Sequence, residues 1–345
     1  MSWQHRKPEG VGAVELTPDG FTAPVSIPLD EDGYFGRDCP SCKGVFKMRK
    51  DEWDALPDGV ELTCPYCGHR DEHSAFISEA QLNRVRAAAH GLARQFVHEK
   101  LNDIFGKSFG SGSGRSSGSG SFLSVEVHYK PGAPPPIESL PEIAEKATRR
   151  VVACSACGNR HAVYSATAFC PVCGPRPATE TVLEAIQAAR DSLALEDRLP
   201  EEDRETLRAA GVFERAAVEA LKSVVSLFEQ FMGEQFEKRV TDAAALTAGK
   251  GNVFQRLDDA AQLFADHGGL DLPALAGADR WQRLRRTFAQ RHVLTHNGGI
   301  VDGKFLAQVP HSSLTVGQRL VISRDDADRA LNDLEAIVQA VSSAP

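Results

Sequence analysis

Eight cysteines are the residues of this 345-residue chain most obviously fit for chemistry, and all of them fall into Cys-x-x-Cys pairs. The pairs read Cys39-Pro-Ser-Cys42, Cys64-Pro-Tyr-Cys67, Cys154-Ser-Ala-Cys157 and Cys170-Pro-Val-Cys173. Two such knuckles can present four thiolates to one tetrahedral Zn²⁺. Glycine follows three of the second cysteines at once (Gly68, Gly158, Gly174) and the fourth after Lys43, at Gly44. Glycine admits positive φ, so each knuckle can curl back and aim amides at its sulfurs. Sequential pairing, Cys39/Cys42 with Cys64/Cys67 and Cys154/Cys157 with Cys170/Cys173, closes two short loops and is favoured; crossed pairing stays open. Four thiolates leave no position for a catalytic water, so two structural zinc ions are expected.

Other uses of the cysteines fit poorly. A disulfide framework needs an oxidising compartment, and Met1 to Pro8 leads into no apolar signal segment. A thioredoxin-like redox pair calls for one such motif, not four. No stretch of about 18 apolar residues occurs, which points to a cytoplasmic chain without a membrane partner.

A second cluster lies in Arg280-Trp-Gln-Arg-Leu-Arg-Arg-Thr-Phe-Ala-Gln-Arg-His-Val-Leu-Thr-His-Asn-Gly-Gly299. Trp281, Leu284 and Phe288, spaced three then four, give this helix one buried stripe. Five arginines face no acidic residue inside the window and form a basic surface strip. Arg291 and His296 supply a cation and a titratable imidazole close together in the sequence. Asn297-Gly298-Gly299 stops the helix.

The elements that must carry these groups follow from periodicity and breakers. Residues 1–33, interrupted by four prolines, read as an irregular arm. A first ribbon spans 34–76, with short strands at Val45-Phe46 and Val60 to Leu62. An amphipathic helix covers 77–105, opened by a Ser78/Gln81 capping box and striped by Leu82, Val85, Ala89, Leu92 and Phe96. A Gly/Ser linker follows over 106–121, then a strand at Leu123 to Tyr129 and a Pro-rich connection over 122–150. The second ribbon occupies 151–177, with 12 residues between its knuckles against 21 in the first. From 178 to 345 the chain is cysteine-free, Ala- and Leu-rich and helical in pattern, with a break near Gly211. The fold class is therefore mainly α, a C-terminal bundle with two small β zinc-ribbon modules before it.

The segment Arg291-His292-x3-His296, with Asn297-Gly-Gly-Ile-Val-Asp302 and Phe305 after it, resembles the Arg-x4–6-His signature of the HEPN superfamily. The resemblance covers about residues 180–342 and leaves out the ribbons. It implies a four- or five-helix bundle that forms a homodimer and acts as a metal-independent endoribonuclease, possible in a toxin or phage-defence setting. The catalytic set carried over is Arg291, His296, His292 and Asn297, with RNA as substrate. His296 would move protons, Arg291 would hold the phosphate, and His292 and Asn297 would orient the phosphate or the imidazole. Products would be a 2′,3′-cyclic phosphate and a 5′-hydroxyl.

Composition and charge limit the alternatives. A net charge of −8, spread as 20 basic against 21 acidic residues through residue 177 and 19 against 26 beyond it, gives no support to general coating of nucleic acid and leaves any such work to a local basic patch. No phosphate-binding loop, dinucleotide fingerprint or His-Glu-x-x-His motif occurs. The competing class is a non-catalytic HEPN-like scaffold whose ribbons dock nucleic acid or protein. His69, His73 and His161 lie beside knuckles already complete in cysteine and are expected at the surface.

Overall fold

The computed structural model describes residues 7–17, 20–57, 59–109, 132–144 and 150–345. The chain forms two compact units, Met1–Pro175 and Arg176–Pro345.

The first unit begins with a hairpin of β1 (Glu15–Thr17) and β2 (Gly20–Thr22), and Val11 bridges Val25 beside it. The expected irregular arm is therefore partly ordered. Its prolines exclude helix, yet its apolar side chains still need cover. Val11 is buried with Ala88, Leu92 and Leu140, and Val14, Phe21, Ala23 and Val25 pack around them. Next come β3 (Tyr34–Asp38), β4 (Val45–Arg49), α1 (Lys50–Asp54), β5 (Glu61–Thr63) and β6 (Arg70–Glu72). They lead into α2 (Glu79–Phe109), β7 (Arg150–Ala153), β8 (Arg160–Val163), β9 (Phe169–Cys170) and β10 (Gly174–Pro175).

The two ribbons are not separate modules. Their strands form one antiparallel sheet in the order β3-β4-β8-β7, with Phe46 opposite Val163 and Met48 opposite His161. Backbone bonds tie the knuckles as well: Thr63 N donates to Pro171 O at 2.8 Å, and Phe169 N donates to Pro65 O at 3.2 Å. Phe35, Phe46, Met48, Leu62, Phe76, Val152 and Val163 share one core. A single ribbon encloses too little apolar surface to be stable alone, and merging two sheets enlarges the core each can use.

The Ser78/Gln81 capping box of α2 forms, with both reciprocal bonds at 3.2 Å. Its buried face runs Gln81, Ala88, Leu92 and Gln95, while Ala89 is exposed, one position off the expected stripe. Gln81 explains the rotation. Its amide donates to Gly36 O at 2.7 Å and accepts from Arg37 Nη1 at 3.1 Å, which pins a polar residue inward. The helix also runs past Phe105, so residues 106–109 of the expected linker are helical. The Gly/Ser run 110–121 and the expected strand Leu123 to Tyr129 lie outside the described residues.

The second unit is all helical: α3 (Ala178–Leu193), α4 (Leu195–Arg198), α5 (Glu201–Ala209), α6 (Val212–Arg239), α7 (Ala243–Thr247) and α8 (Leu257–Leu263). Then follow α9 (Leu272–Ala276), α10 (Ala278–His296), α11 (Gly303–Gln308) and α12 (Arg324–Ser343). Gly211, at φ 72°, makes the break between α5 and α6. Helix α6 is the central element, burying Leu221, Phe228, Phe231, Met232 and Phe236 against α3, α10 and α12. Leu331, Leu334, Val338 and Val341 of α12 are all fully buried, as their spacing predicts. The link between α10 and α12 pairs Ile300 with Arg319 in a single bridge and carries α11 between them. Since this unit has its own core, residues 176–345 expressed alone are expected to show a cooperative helical melt by circular dichroism. Among the described residues no helix is long and apolar enough to cross a membrane.

Candidate functional site

The cysteines gather as two groups of four, Cys39/Cys42/Cys64/Cys67 and Cys154/Cys157/Cys170/Cys173, and within each group the sulfurs lie within 4.8 Å of one another. Pairing is thus sequential. Cys39 and Cys67 sulfurs are 3.7 Å apart, as are those of Cys42 and Cys64; the second group gives 3.5 Å for Cys154–Cys173 and 3.6 Å for Cys157–Cys170. Four thiolates held about 2.3 Å from one tetrahedral ion are separated by about 3.75 Å, so each group could hold one metal ion. In every pair the first cysteine is buried and the second exposed. Amides face the sulfurs: Gly44 N lies 3.4 Å from Cys42 Sγ and Val172 N 3.5 Å from Cys170 Sγ. Burial pushes the Cys64 and Cys170 thiols up and brings Cys173 up to about 11. A dication among the sulfurs supplies the charge that makes such buried thiolates stable.

Three knuckles turn as expected, with Gly68, Gly158 and Gly174 at φ 72°, 75° and 89°. The fourth departs from expectation. There Lys43, at φ 61°, takes the left-handed position, and Gly44 serves a different need. A Cβ on Gly44 would sit 2.4 Å from Cδ2 of Tyr66. That ring cannot withdraw freely, because its hydroxyl donates to Val45 O and accepts from Tyr164 N at 3.2 Å. Tyr66 thereby crosslinks the two ribbons. Lys43→Gly should relieve a left-handed residue and stabilise the ribbon unit by about 1 kcal/mol. Gly44→Ala should destabilise it by about 1–3 kcal/mol through overpacking. Thermal melts of the metal-loaded protein would read opposite signs for these adjacent substitutions. Of the neighbouring histidines, His69 and His73 are half-buried, and His73 packs edge-on against Trp53 at 5.4 Å. His161, expected at the surface, is fully buried in β8, where the merged sheet covers it.

The catalytic candidates sit at the end of α10 and split into two sets. His292 and His296, one turn apart, lie on the same side with ring centres 5.0 Å apart. Burial, then the positive charges of Lys304 and His296, depress the pKa of His292, and Asp302 opposes this. Arg291 turns elsewhere: its Nη2 donates to Gln255 Oε1 at 3.4 Å, and Gln255 in turn donates to Glu229 at 2.6 Å. Among the described residues no hydrogen bond joins Arg291 to His296. Asn297 caps α10, and its amide donates to Asp302 Oδ2 at 2.7 Å. Asp302 also caps α11 by accepting from Phe305 N at 2.8 Å.

These two bonds make Asp302 the latch of the α10–α11 corner. The Phe305 amide, with Asn297, His292 and Lys304, holds its carboxyl below the ordinary value of 3.8. Its contribution to stability is therefore full above that value and fades as pH falls below it. Asp302→Ala should lower the thermal midpoint of the helical unit at pH 7, and the difference from wild type should shrink in acid.

Beside His292 opens a groove of about 1010 Å³ between α10, the start of α8 and α11. Five cations line it (Arg256, Arg283, Arg285, Arg286, Lys304) against two carboxylates, Asp258 and Asp259. The basic strip read from the sequence is only partly free. Arg283 makes a two-pronged bond at 2.8 and 2.7 Å to buried Asp333 of α12, and Arg285 pairs with Asp258 at 2.7 Å. The acids come from outside the window, so spacing within it could not reveal them. Lys304 and Gln255 were missed for the same reason, whereas Asp302 lay within the motif string. No protein-family model, curated protein or solved structure matches the chain.

Proposed function

We propose that the helical unit is a metal-independent endoribonuclease of HEPN type, and that the paired ribbons hold two structural zinc ions and dock substrate or a partner protein. The observation that carries this reading is the His292–His296 imidazole pair, with His292 on the wall of a groove lined by two carboxylates and five cations, three of them ion-paired, in a protein of net charge −8. RNA supplies its own nucleophile. His296 takes the 2′-OH proton or returns one to the departing 5′-oxygen, while the 2′-oxygen attacks phosphorus to give the 2′,3′-cyclic phosphate. His292 is the second imidazole within reach, and Arg291, once drawn from Gln255, stabilises the phosphorane charge. Family resemblance adds a homodimer through the bundle. Zinc suits the thiolate sites because four sulfurs at tetrahedral spacing match it.

A second reading, a non-catalytic HEPN-like scaffold, draws support from Arg291 and Asn297, both already hydrogen-bonded within the unit. The deciding experiment incubates the full chain with tRNA and mRNA in EDTA, with His296→Ala alongside. Cleavage lost in the variant supports the nuclease; no cleavage, or equal cleavage, supports the scaffold.

A further inference from the structure

We propose that His292 and His296 form a third metal site, a two-imidazole seat for a borderline divalent ion such as Zn²⁺ or Ni²⁺, distinct from the cysteine sites. The argument is first geometric. A metal–nitrogen bond of about 2.05 Å plus about 1.15 Å from nitrogen to ring centre puts each centre about 3.2 Å from the ion, so two imidazoles at a tetrahedral angle have centres about 5.2 Å apart. The observed separation is 5.0 Å, with the rings tilted 47°. Spacing of four residues on the last turn of α10 sets both rings on one side without rearranging the backbone.

The lone pairs are also uncommitted. Among the described residues neither imidazole has a hydrogen-bond partner, in contrast to Asn297 and Arg291 beside them. His296 is exposed and His292 half-buried, so an ion can reach both from solvent. Charge near the pair is mixed: Lys304 and Arg291 oppose a cation, and Asp302 favours one. That balance, with only two protein ligands, makes the site weaker than a four-thiolate site and leaves positions for water. Nitrogen ligands without carboxylate select zinc, nickel or copper over magnesium or calcium. Coordination would also occupy the lone pairs that proton transfer needs, so on the ribonuclease reading the ion is an inhibitor. Binding itself does not depend on that reading.

The test uses tag-free full-length protein with both cysteine sites filled, titrated with Ni²⁺ by calorimetry while retained zinc is measured. One Ni²⁺ per chain should bind with two zinc ions kept. His292→Ala and His296→Ala should each weaken it at least about tenfold, since loss of a ligand costs no less than loss of an outer-shell partner. His267→Ala, at a histidine of the same unit that does not line this groove, should bind as wild type. Absence of nickel binding, or binding that survives the His292→Ala/His296→Ala double substitution, overturns the proposal. RNA cleavage plays no part in this readout, so its failure leaves the nuclease reading standing, and the reverse.

Discussion

Replacing Cys64 by serine is expected to unfold both ribbons and release both zinc ions, leaving the helical unit folded. Independent ribbons would lose one ion and keep the other, because metal binding and folding are coupled locally. Here the coupling is not local. Thr63, next to Cys64, is bonded to Pro171, next to Cys170; β4 and β8 share a ladder; and Leu62 sits in one core with Val152 and Val163. Apparent binding energies of structural zinc, about 10–16 kcal/mol, equal or exceed the net stability of a whole domain, so one site cannot be lost without consequence for its partner. Elemental analysis should fall from two zinc ions toward none, and far-UV circular dichroism should keep most of its helical signal. A variant that retains one zinc would show that the shared sheet transmits less than argued.

His296→Ala should lower RNA cleavage by about 10²–10⁴-fold, the usual worth of a positioned acid–base group. Arg291→Lys should also fail, because a point charge does not replace a guanidinium fork on phosphate. The hydrogen bond of Arg291 to Gln255 sharpens the second test. If Arg291 merely braces α10, Gln255→Ala should impair activity and stability as much as Arg291→Lys does. If Arg291 acts on phosphate, Gln255→Ala should leave most activity. Single-turnover cleavage in EDTA, with thermal melts of each variant, separates the two. Wild-type protein that cuts no RNA, or a His296→Ala variant that cuts equally well, would sink the catalytic role.

Much of the frame was legible because it depends on local spacing. Cys-x-x-Cys pairs fix their own geometry, and a 3–4 apolar rhythm with Gly211 as punctuation marks out α6 and α12 without reference to other segments. Features that depend on distant partners were not legible. Nothing in residues 45–49 shows that they will pair with 161–163, and nothing in 280–291 shows that Asp333 and Asp258 will take three of its arginines. Gly44 is the sharpest case. Its type and position suggest a turn requirement, but a ring 22 residues away, Tyr66, is what forbids a side chain there.

The strand order β3-β4-β8-β7 also fixes a sequence of events on the ribosome. Phe46 leaves the exit tunnel long before its ladder partner Val163 is made. At about 5–20 residues per second, the intervening stretch of roughly 120 residues takes about 6–24 s to synthesise. Once Cys67 has also emerged, the first four cysteines can take up an ion, while β4 still exposes a bare hydrogen-bonding edge. Two nascent chains on one message would then offer each other the same open edge, and exchange of β8 between neighbours is the misassembly this topology invites.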